Sequence, residues 1–100
     1  MKSIKKILEE NGFTVERSYS GGYYISQYTP AGEDWGIELD KLEDFPEYAE
    51  NFDPEEEFEM WIEAKHSGVR GVPSPAILWE DQKWKENLLD EVLQQINRRK

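Results

Sequence analysis

The amino-acid sequence predicts an α+β fold with an N-terminal helix, a three-stranded antiparallel meander, and then two or three helices packed on one face of the sheet. Apolar residues recur at helical spacing near the N-terminus and again beyond residue 41, whereas they alternate with polar residues in between. Short clusters of Gly, Ser and Pro separate the alternating runs, which favours hairpins over long crossovers. Because 100 residues suffice for one hydrophobic core, we expect residues 1–100 to form a single domain.

The first part of the chain predicts one short helix and a hairpin. Ser3 can cap the helix and Gly12 can end it. The period of the apolar pattern then changes to two, which predicts a strand over 13–19. The Ser-Gly-Gly step at 20–22 suits a tight turn, so the run 23–29 is expected to return as the second strand.

The rest of the chain predicts a third strand and the remaining helices. Residues 35–40 alternate apolar with small or acidic side chains, as a half-buried strand does. Helical spacing then returns, with Asp44 as the expected cap of one helix and Asp53 as that of the next. Ser74 can cap the last and longest helix, for which the sequence leaves a break near Asp81 open.

The buried faces of these last two helices follow from the apolar spacing. The side chains that we expect in the core from them are Phe58, Trp61, Ile62, Leu88 and Val92. The apolar stripe of the longest helix is predicted to consist of Ile77, Trp84, Leu88, Val92 and Ile96, flanked by Leu78, Leu89 and Leu93.

The net charge of −10 is concentrated in one segment of the chain. The stretch 21–66 contains fourteen acidic residues, all between Glu33 and Glu63, and only two lysines, Lys41 and Lys65. A negative field of this strength repels nucleic-acid phosphate and favours basic partners. We therefore expect no direct nucleic-acid binding.

Part of this acidity has no capping role and points to a partner. Helix capping explains the glutamates in a predicted first turn, but a second set repeats like charges at helical spacing, where each pair costs roughly a few tenths of a kcal/mol. The residues of this second set are Glu43, Glu47, Glu50, Glu59 and Glu63. We interpret the chain as a non-enzymatic interaction protein that presents this acidic helical face to a basic protein surface. A sharper version of this interpretation is a nucleic-acid mimic that inhibits a nucleic-acid-binding enzyme. A solubilising face without a partner is the alternative.

The competing interpretation is a domain that binds a small ligand or a divalent cation. Tyr23, Tyr24 and Tyr28 lie on the predicted sheet, where the adjacent Tyr23 and Tyr24 must face opposite sides. The clustered carboxylates can attract a cation, and Glu63 and His66 form an E-x-x-H step. Carboxylate-bridged metal centres need two such steps, whereas the chain has one His, so we expect no bound metal or cofactor.

The composition also argues against most catalytic chemistries. The chain has no Cys, which removes thiolate nucleophiles, disulfides and thiolate zinc sites. A Ser-His-Asp arrangement would have to form around the single His, and no nucleophile motif accompanies it. We therefore expect no enzymatic activity.

Three segments resemble a group of small acidic bacterial proteins of uncharacterised function: YTPAGEDW at 28–35, FDPEEEFEMWIEAK at 52–65 and GVRGVP at 68–73. The resemblance implies a stand-alone bacterial cytoplasmic protein and brings no activity with it. The sequence adds that no apolar run approaches the length of a membrane span or of a signal-peptide core. A cytoplasmic protein without a membrane partner is expected.

Overall fold

The structure, a computed structural model, describes residues 2–65 and 75–99, and for residues 63–65 it describes the backbone only. One helix, a three-stranded antiparallel sheet and then further helices follow one another along the chain, which confirms the predicted α+β arrangement. The elements are α1 (Ile4–Glu10), β1 (Thr14–Arg17), β2 (Tyr23–Tyr28), β3 (Asp34–Leu39), a short 3-10 helix (Leu42–Asp44), α2 (Phe45–Asn51), α3 (Pro54–Lys65) and α4 (Pro75–Arg98).

The three strands form a meander in the order β1-β2-β3, with both pairs antiparallel. Val15, Ile25 and Ile37 lie opposite one another across the sheet and point to its inner face. The next row, Glu16, Tyr24 and Glu38, points to the outer face because side chains alternate along a strand. The sheet therefore has one apolar and one largely polar face.

The first hairpin turns at the predicted Ser-Gly-Gly step. The Ser18 N–H donates to the Gly22 carbonyl at 2.9 Å, and Gly21 adopts a φ of 92°, which glycine accepts without a Cβ penalty. β1 ends at Arg17, earlier than predicted, because the turn already begins at Ser18. Tyr19 consequently lies in the turn and is fully exposed.

The hydrophobic core lies between the inner face of the sheet and helices α1, α2 and α4. Phe13 and Trp35 pack with ring centroids 5.4 Å apart, and Phe13 meets Phe45 at 6.2 Å. The buried residues of this core are Ile4, Ile7, Leu8, Phe13, Ile25, Trp35, Ile37, Phe45, Ala49, Leu89, Val92 and Ile96. All three helices thus cover the same face of the sheet.

Helix α4 is continuous, but its buried stripe differs from the predicted one. Ile77, expected on the stripe, is 45% exposed, and Trp84 and Leu88 are half-buried, whereas Val92 is fully buried as predicted. The buried positions of the helix are Leu78, Asp81, Gln82, Lys85, Leu89, Val92 and Ile96. The stripe is therefore rotated towards three polar residues, of which Asp81 accepts hydrogen bonds from the turn after β2 and Lys85 faces the Glu33 carboxylate.

Helix α3 packs mainly on α4, so its apolar residues lie at the edge of the core. Phe58, Trp61 and Ile62, which the sequence placed in the core, are half-buried. The Phe58 ring meets Trp79 of α4 edge-on at 5.5 Å. With carboxylates at most other positions of its first two turns, α3 has only a narrow apolar side, which covers the neighbouring helix instead of the sheet.

The predicted caps are partly confirmed. The Asp53 side chain accepts a hydrogen bond from the Glu55 N–H at 3.0 Å and so caps α3. Asp44 stands at the N-cap position of α2 without a side-chain cap bond, because the preceding 3-10 turn leads directly into the helix and leaves Asp44 with helical angles. Ser74, the expected cap of α4, lies outside the described residues.

Within the described ranges, no helix combines the length and the apolar character that crossing a membrane requires.

Candidate functional site

Ten carboxylates between residues 34 and 59 are exposed, and we call this set the acidic surface. It spans β3, the 3-10 helix, α2 and the first half of α3. Its members are Asp34, Glu38, Asp40, Glu43, Glu47, Glu50, Asp53, Glu55, Glu56 and Glu59. Four of the five predicted partner-binding residues belong to it: Glu43, Glu47, Glu50 and Glu59. The side chain of the fifth, Glu63, lies outside the described residues, as does His66.

Among the described residues, no cation of the chain forms an ion pair with the acidic surface. Between residues 34 and 59 the only basic residue is Lys41. The ion pairs among described residues involve Lys2 with Glu10, Lys83 with Glu86, and Lys85 with Glu33 and Glu57. In that part of the chain, none of the ten exposed carboxylates takes part in an ion pair. The surface therefore carries a net negative field into the solvent.

Helical spacing places several of these carboxylates on common helix faces. Glu47 and Glu50 are three residues apart in α2, and Glu55 and Glu59 are four apart in α3. Residues at these spacings are neighbours on a helix surface, so each pair is a repulsive contact. Neither Glu50 nor Glu59 lies in the first turn of its helix, where the dipole would favour a negative charge.

A small cleft opens between the end of α2 and the start of α3. Its volume is 190 Å³, and it is lined by Tyr48, Asn51, Phe52, Asp53, Glu56 and Glu57. Small-molecule pockets usually measure about 300–1,000 Å³, so this cleft has the size of a single side chain. Burial raises the pKa of the Tyr48 hydroxyl, against the effect of the Trp35 Nε1–H that donates to it at 3.3 Å.

The three tyrosines of the alternative ligand surface do not form one surface. Tyr24 and Tyr28 lie on the outer face of the sheet, whereas Tyr23 points to the opposite side, as predicted. The Arg17 guanidinium lies 4.9 Å from the centre of the Tyr23 ring and donates a hydrogen bond to its hydroxyl at 3.0 Å. The Tyr24 ring covers Gly36, where an added Cβ would lie 2.8 Å from its carbons. Tyr28 is the most exposed of the three.

A buried charged cluster joins the turn after β2 to helix α4, and the sequence did not predict it. Asp81 accepts hydrogen bonds from the Thr29 hydroxyl at 2.6 Å and from the Ala31 N–H at 3.3 Å. The Thr29 hydroxyl oxygen in turn accepts from the Glu33 N–H at 3.0 Å. The buried members of this cluster are Thr29, Glu33, Asp81, Gln82 and Lys85.

Lys85 is the cation of the buried cluster. Its Nζ lies 3.5 Å from Glu33 Oε2 and 3.7 Å from Glu57 Oε1, without hydrogen-bond geometry to either. The same Nζ lies 5.4 Å from the centre of the Trp35 ring and 5.6 Å from that of Trp61, within the range of a cation–π interaction. Two carboxylates and two indole rings therefore compensate this buried ammonium group.

The surroundings of Glu33 alter its ionisation. Burial raises the pKa of Glu33 above its ordinary value of 4.5, and the nearby Asp81 carboxylate adds to this rise, while the positive charge of Lys85 opposes it. Among the described residues, neither oxygen of the Glu33 carboxylate has a partner in hydrogen-bond geometry. Desolvation without hydrogen bonding disfavours the charged form of a carboxyl group, which explains why the pKa of Glu33 is raised.

One signal in the sequence points to the buried cluster. The series Leu78, Gln82, Lys85, Leu89, Val92 and Ile96 repeats with alternating steps of four and three residues. Such steps trace one face of a helix, so Gln82 and Lys85 occupy two positions of an otherwise apolar stripe. A search for apolar residues alone misses this stripe, because Gln82 and Lys85 interrupt it.

Comparison with known proteins does not assign the chain to a family. No protein-family model, curated protein or solved structure matches the chain. Among the described residues, no three Asp, Glu or His side chains are arranged to hold a metal ion.

Proposed function

We propose that the chain is a non-enzymatic interaction protein that presents its acidic surface to a basic surface of another protein. The observation that carries this proposal is the set of ten exposed carboxylates without an ion pair among the described residues. Complementary charges accelerate association and select partners more than they add affinity. A basic surface would relieve the repulsion within the set, which gives the complex an electrostatic advantage over the free protein.

The cleft between α2 and α3 supports the same proposal. It places Asp53, Glu56 and Glu57 beside the Tyr48 and Phe52 rings in a volume of 190 Å³. A lysine or arginine side chain combines an apolar stem with a cationic head, and aromatic rings and carboxylates match these two parts. Arginine side chains that enter a pocket of the partner in this way are frequent hot spots of interfaces.

A sharper form of the proposal is that the protein mimics nucleic acid and occupies the phosphate-binding surface of a nucleic-acid-binding enzyme. Carboxylates repeated at helical spacing on two consecutive helices present a series of negative charges, as a phosphate backbone does. This form predicts that duplex DNA and the protein compete for the same partner.

The test is affinity capture from a bacterial lysate with matched variants. Glu47→Gln/Glu50→Gln/Glu59→Gln changes the acidic surface, and Glu9→Gln/Glu16→Gln/Asp90→Asn removes three exposed negative charges elsewhere. We expect the first variant to lose a partner that the wild type and the control variant retain. The interaction should weaken as salt is raised, because exposed charges are screened over about 8–10 Å at physiological ionic strength.

Added duplex DNA distinguishes the two forms of the proposal. Release of the captured partner by DNA supports a nucleic-acid mimic, whereas retention supports a basic protein surface of another kind. Recovery of the same binders with all three proteins at every salt concentration would contradict the proposal.

A further inference from the structure

A second pocket lies outside the acidic surface, between the turn that follows β2 and the first two and a half turns of α4. Its volume is 370 Å³, within the usual range for small-molecule sites. It is lined by Pro30, Ala31, Ile77, Glu80, Asp81 and Trp84, and we call it the turn pocket.

The walls of the turn pocket are of two kinds. Pro30, Ala31 and Ile77 provide apolar surface, and Trp84 adds a half-buried indole ring. Two carboxylates, those of Glu80 and Asp81, provide negative charge, and none of the described lining residues is a cation. An apolar stem with a positively charged end is the ligand chemistry that matches these walls, because indole faces and carboxylates both attract cations.

The turn pocket is held in shape before any ligand arrives. Asp81, which is 3% exposed, fixes the turn through its hydrogen bonds from the Thr29 hydroxyl and the Ala31 N–H. The turn is closed on itself as well, since Thr29 and Glu33 are joined by a backbone hydrogen bond of 2.9 Å. A carboxylate oxygen can accept more than one hydrogen bond, so these contacts leave Asp81 able to accept from a ligand.

The buried charged cluster adjoins the turn pocket. Buried charges contribute little net stability, and apolar residues of similar volume often stabilise a protein as well or better. Charged and titratable groups with altered ionisation next to a pocket are a common feature of binding sites. The turn pocket shares Asp81 with the cluster that contains Glu33 and Lys85.

We infer that the turn pocket binds a small organic cation, with an alkylammonium or alkylguanidinium head placed near Glu80, Asp81 and the Trp84 ring and its alkyl stem against Pro30 and Ile77. This inference does not depend on the acidic surface. A free amine and a lysine or arginine side chain of another protein share this chemistry, and the experiment distinguishes the two sources.

The experiment is a titration of the ¹⁵N-labelled full-length protein followed by NMR. The free-amine probe is cadaverine, with the uncharged 1,5-pentanediol as its control. The side-chain probe is N-acetyl-argininamide, with the uncharged N-acetyl-citrullinamide as its control. We expect saturable shifts of the Trp84 indole N–H and the Ala31 amide with at least one cationic probe, with a Kd on the order of 1 mM, and no saturation with the uncharged probes.

Two variants of lining residues and one control variant test the site itself. Glu80→Gln removes an exposed carboxylate of the pocket and should raise the Kd of the cationic probe at least threefold, a modest share of the usual strength of a charge-assisted contact. Asp90→Asn removes an exposed carboxylate farther along the same helix and should leave the Kd unchanged. Trp84→Leu, which keeps an apolar residue at this position, should weaken binding as Glu80→Gln does.

Saturation by cadaverine alone supports a free amine as the ligand, and saturation by N-acetyl-argininamide supports a side chain of another protein. Linear shifts spread over the acidic surface with every cationic probe would overturn the inference, because they indicate general attraction to a negative protein. Equal Kd values for Glu80→Gln and the wild type would overturn it too.

Discussion

Lys85 is held without solvent exposure between two carboxylates and two indole rings, and this arrangement is costly to disturb. Removing one partner of a buried ion pair leaves the other charge in a medium of low polarity, which usually costs more than the pair itself contributes. Among the described residues, the carboxylates of Glu33 and Glu57 lie 3.5 and 3.7 Å from the Lys85 ammonium group, and the Asp81 carboxylate acts on Glu33. Loss of the cation would leave negative charges without compensation.

Lys85→Met tests this balance, because methionine keeps the apolar stem and removes the charge. We expect the variant to be less stable at pH 7 by about 3 kcal/mol, the lower end of the usual cost, because Glu33 can relieve part of it by taking up a proton. Denaturant unfolding measures the difference. Part of the loss should return at lower pH, and the double variant Lys85→Met/Glu33→Gln should be more stable than Lys85→Met alone. Unchanged stability of Lys85→Met at pH 7 would contradict the prediction.

Replacement of Glu33 is predicted to stabilise the protein at pH 7, whereas replacement of Lys85 is predicted to destabilise it. Because its pKa is raised in the folded protein, the folded state keeps the proton to a higher pH than the unfolded chain does. The contribution of Glu33 to the unfolding free energy therefore falls as pH rises from about 4.5 towards the raised pKa. Glu33→Gln mimics the protonated form and should remove this fall.

The measurement is the difference in unfolding free energy between Glu33→Gln and the wild type from pH 4 to pH 8. Carboxyl groups that do not interact with Glu33 contribute equally to both proteins, so the difference reports Glu33 together with the groups coupled to it, Asp81 and Lys85. We expect the curves to lie closest at the acidic end and the variant to be the more stable protein at pH 7. A variant that is less stable at pH 7 would show that the Lys85 contact outweighs desolvation.

The helices and strands could be predicted well from the sequence, whereas the interior contacts of α4 could not. The period-two runs and the glycine turn led to the observed hairpin and to the third strand, because alternation in a strand depends on local geometry alone. The burial of Lys85 depends on Glu33, which is distant in the sequence and reaches it only through the tertiary fold. Residue type favoured a solvent position for this lysine, and tertiary contacts reversed that preference.

The acidic surface could be predicted from the sequence, whereas the turn pocket could not. The exposure of Glu43, Glu47, Glu50 and Glu59 follows from charge and helical spacing, and the structure places all four at the surface. The turn pocket was not predictable, since it forms where residues 30–31 meet α4. A contact between segments so far apart leaves no periodic pattern within either segment.

The hairpin and the third strand meet at Gly22, which gives a prediction about the sheet. An added Cβ at Gly22 would lie 2.5 Å from the Leu39 carbonyl oxygen, so the backbone of β3 would have to move. We expect Gly22→Ala to destabilise the protein by about 1–3 kcal/mol, the usual cost of overpacking. Thermal unfolding followed by circular dichroism measures the effect.

Gly36→Ala is the matched control within the same sheet. Its added Cβ would meet the Tyr24 side chain, which can rotate away towards solvent, and alanine removes the entropic cost of a glycine in a strand. We therefore expect a smaller loss than for Gly22→Ala. A larger loss for Gly36→Ala would show that the Tyr24 ring is a fixed part of the sheet.

Across the whole molecule, the charges of two signs are separated along the chain. The exposed carboxylates concentrate on the segment from β3 to α3, whereas the last turn of α4 carries Arg98 and is followed by Arg99. Net charge far from zero destabilises a compact state through repulsion, and this repulsion is strongest where like charges are neighbours. The acidic surface should therefore reduce the stability of the free protein at low salt.

Salt dependence of the melting temperature tests this repulsion without knowledge of a partner. Raising NaCl from about 10 mM to about 500 mM shortens the screening length from roughly 30 Å to less than 10 Å, so we expect the Tm of the wild type to rise by several degrees. Glu47→Gln/Glu50→Gln/Glu59→Gln should start from a higher Tm at low salt and gain less from added salt. Glu9→Gln/Glu16→Gln/Asp90→Asn loses the same number of charges, but from positions distant from one another in the sequence, and should keep more of the wild-type salt dependence. Equal salt dependence of the two variants would show that net charge, and not the acidic surface, determines the repulsion.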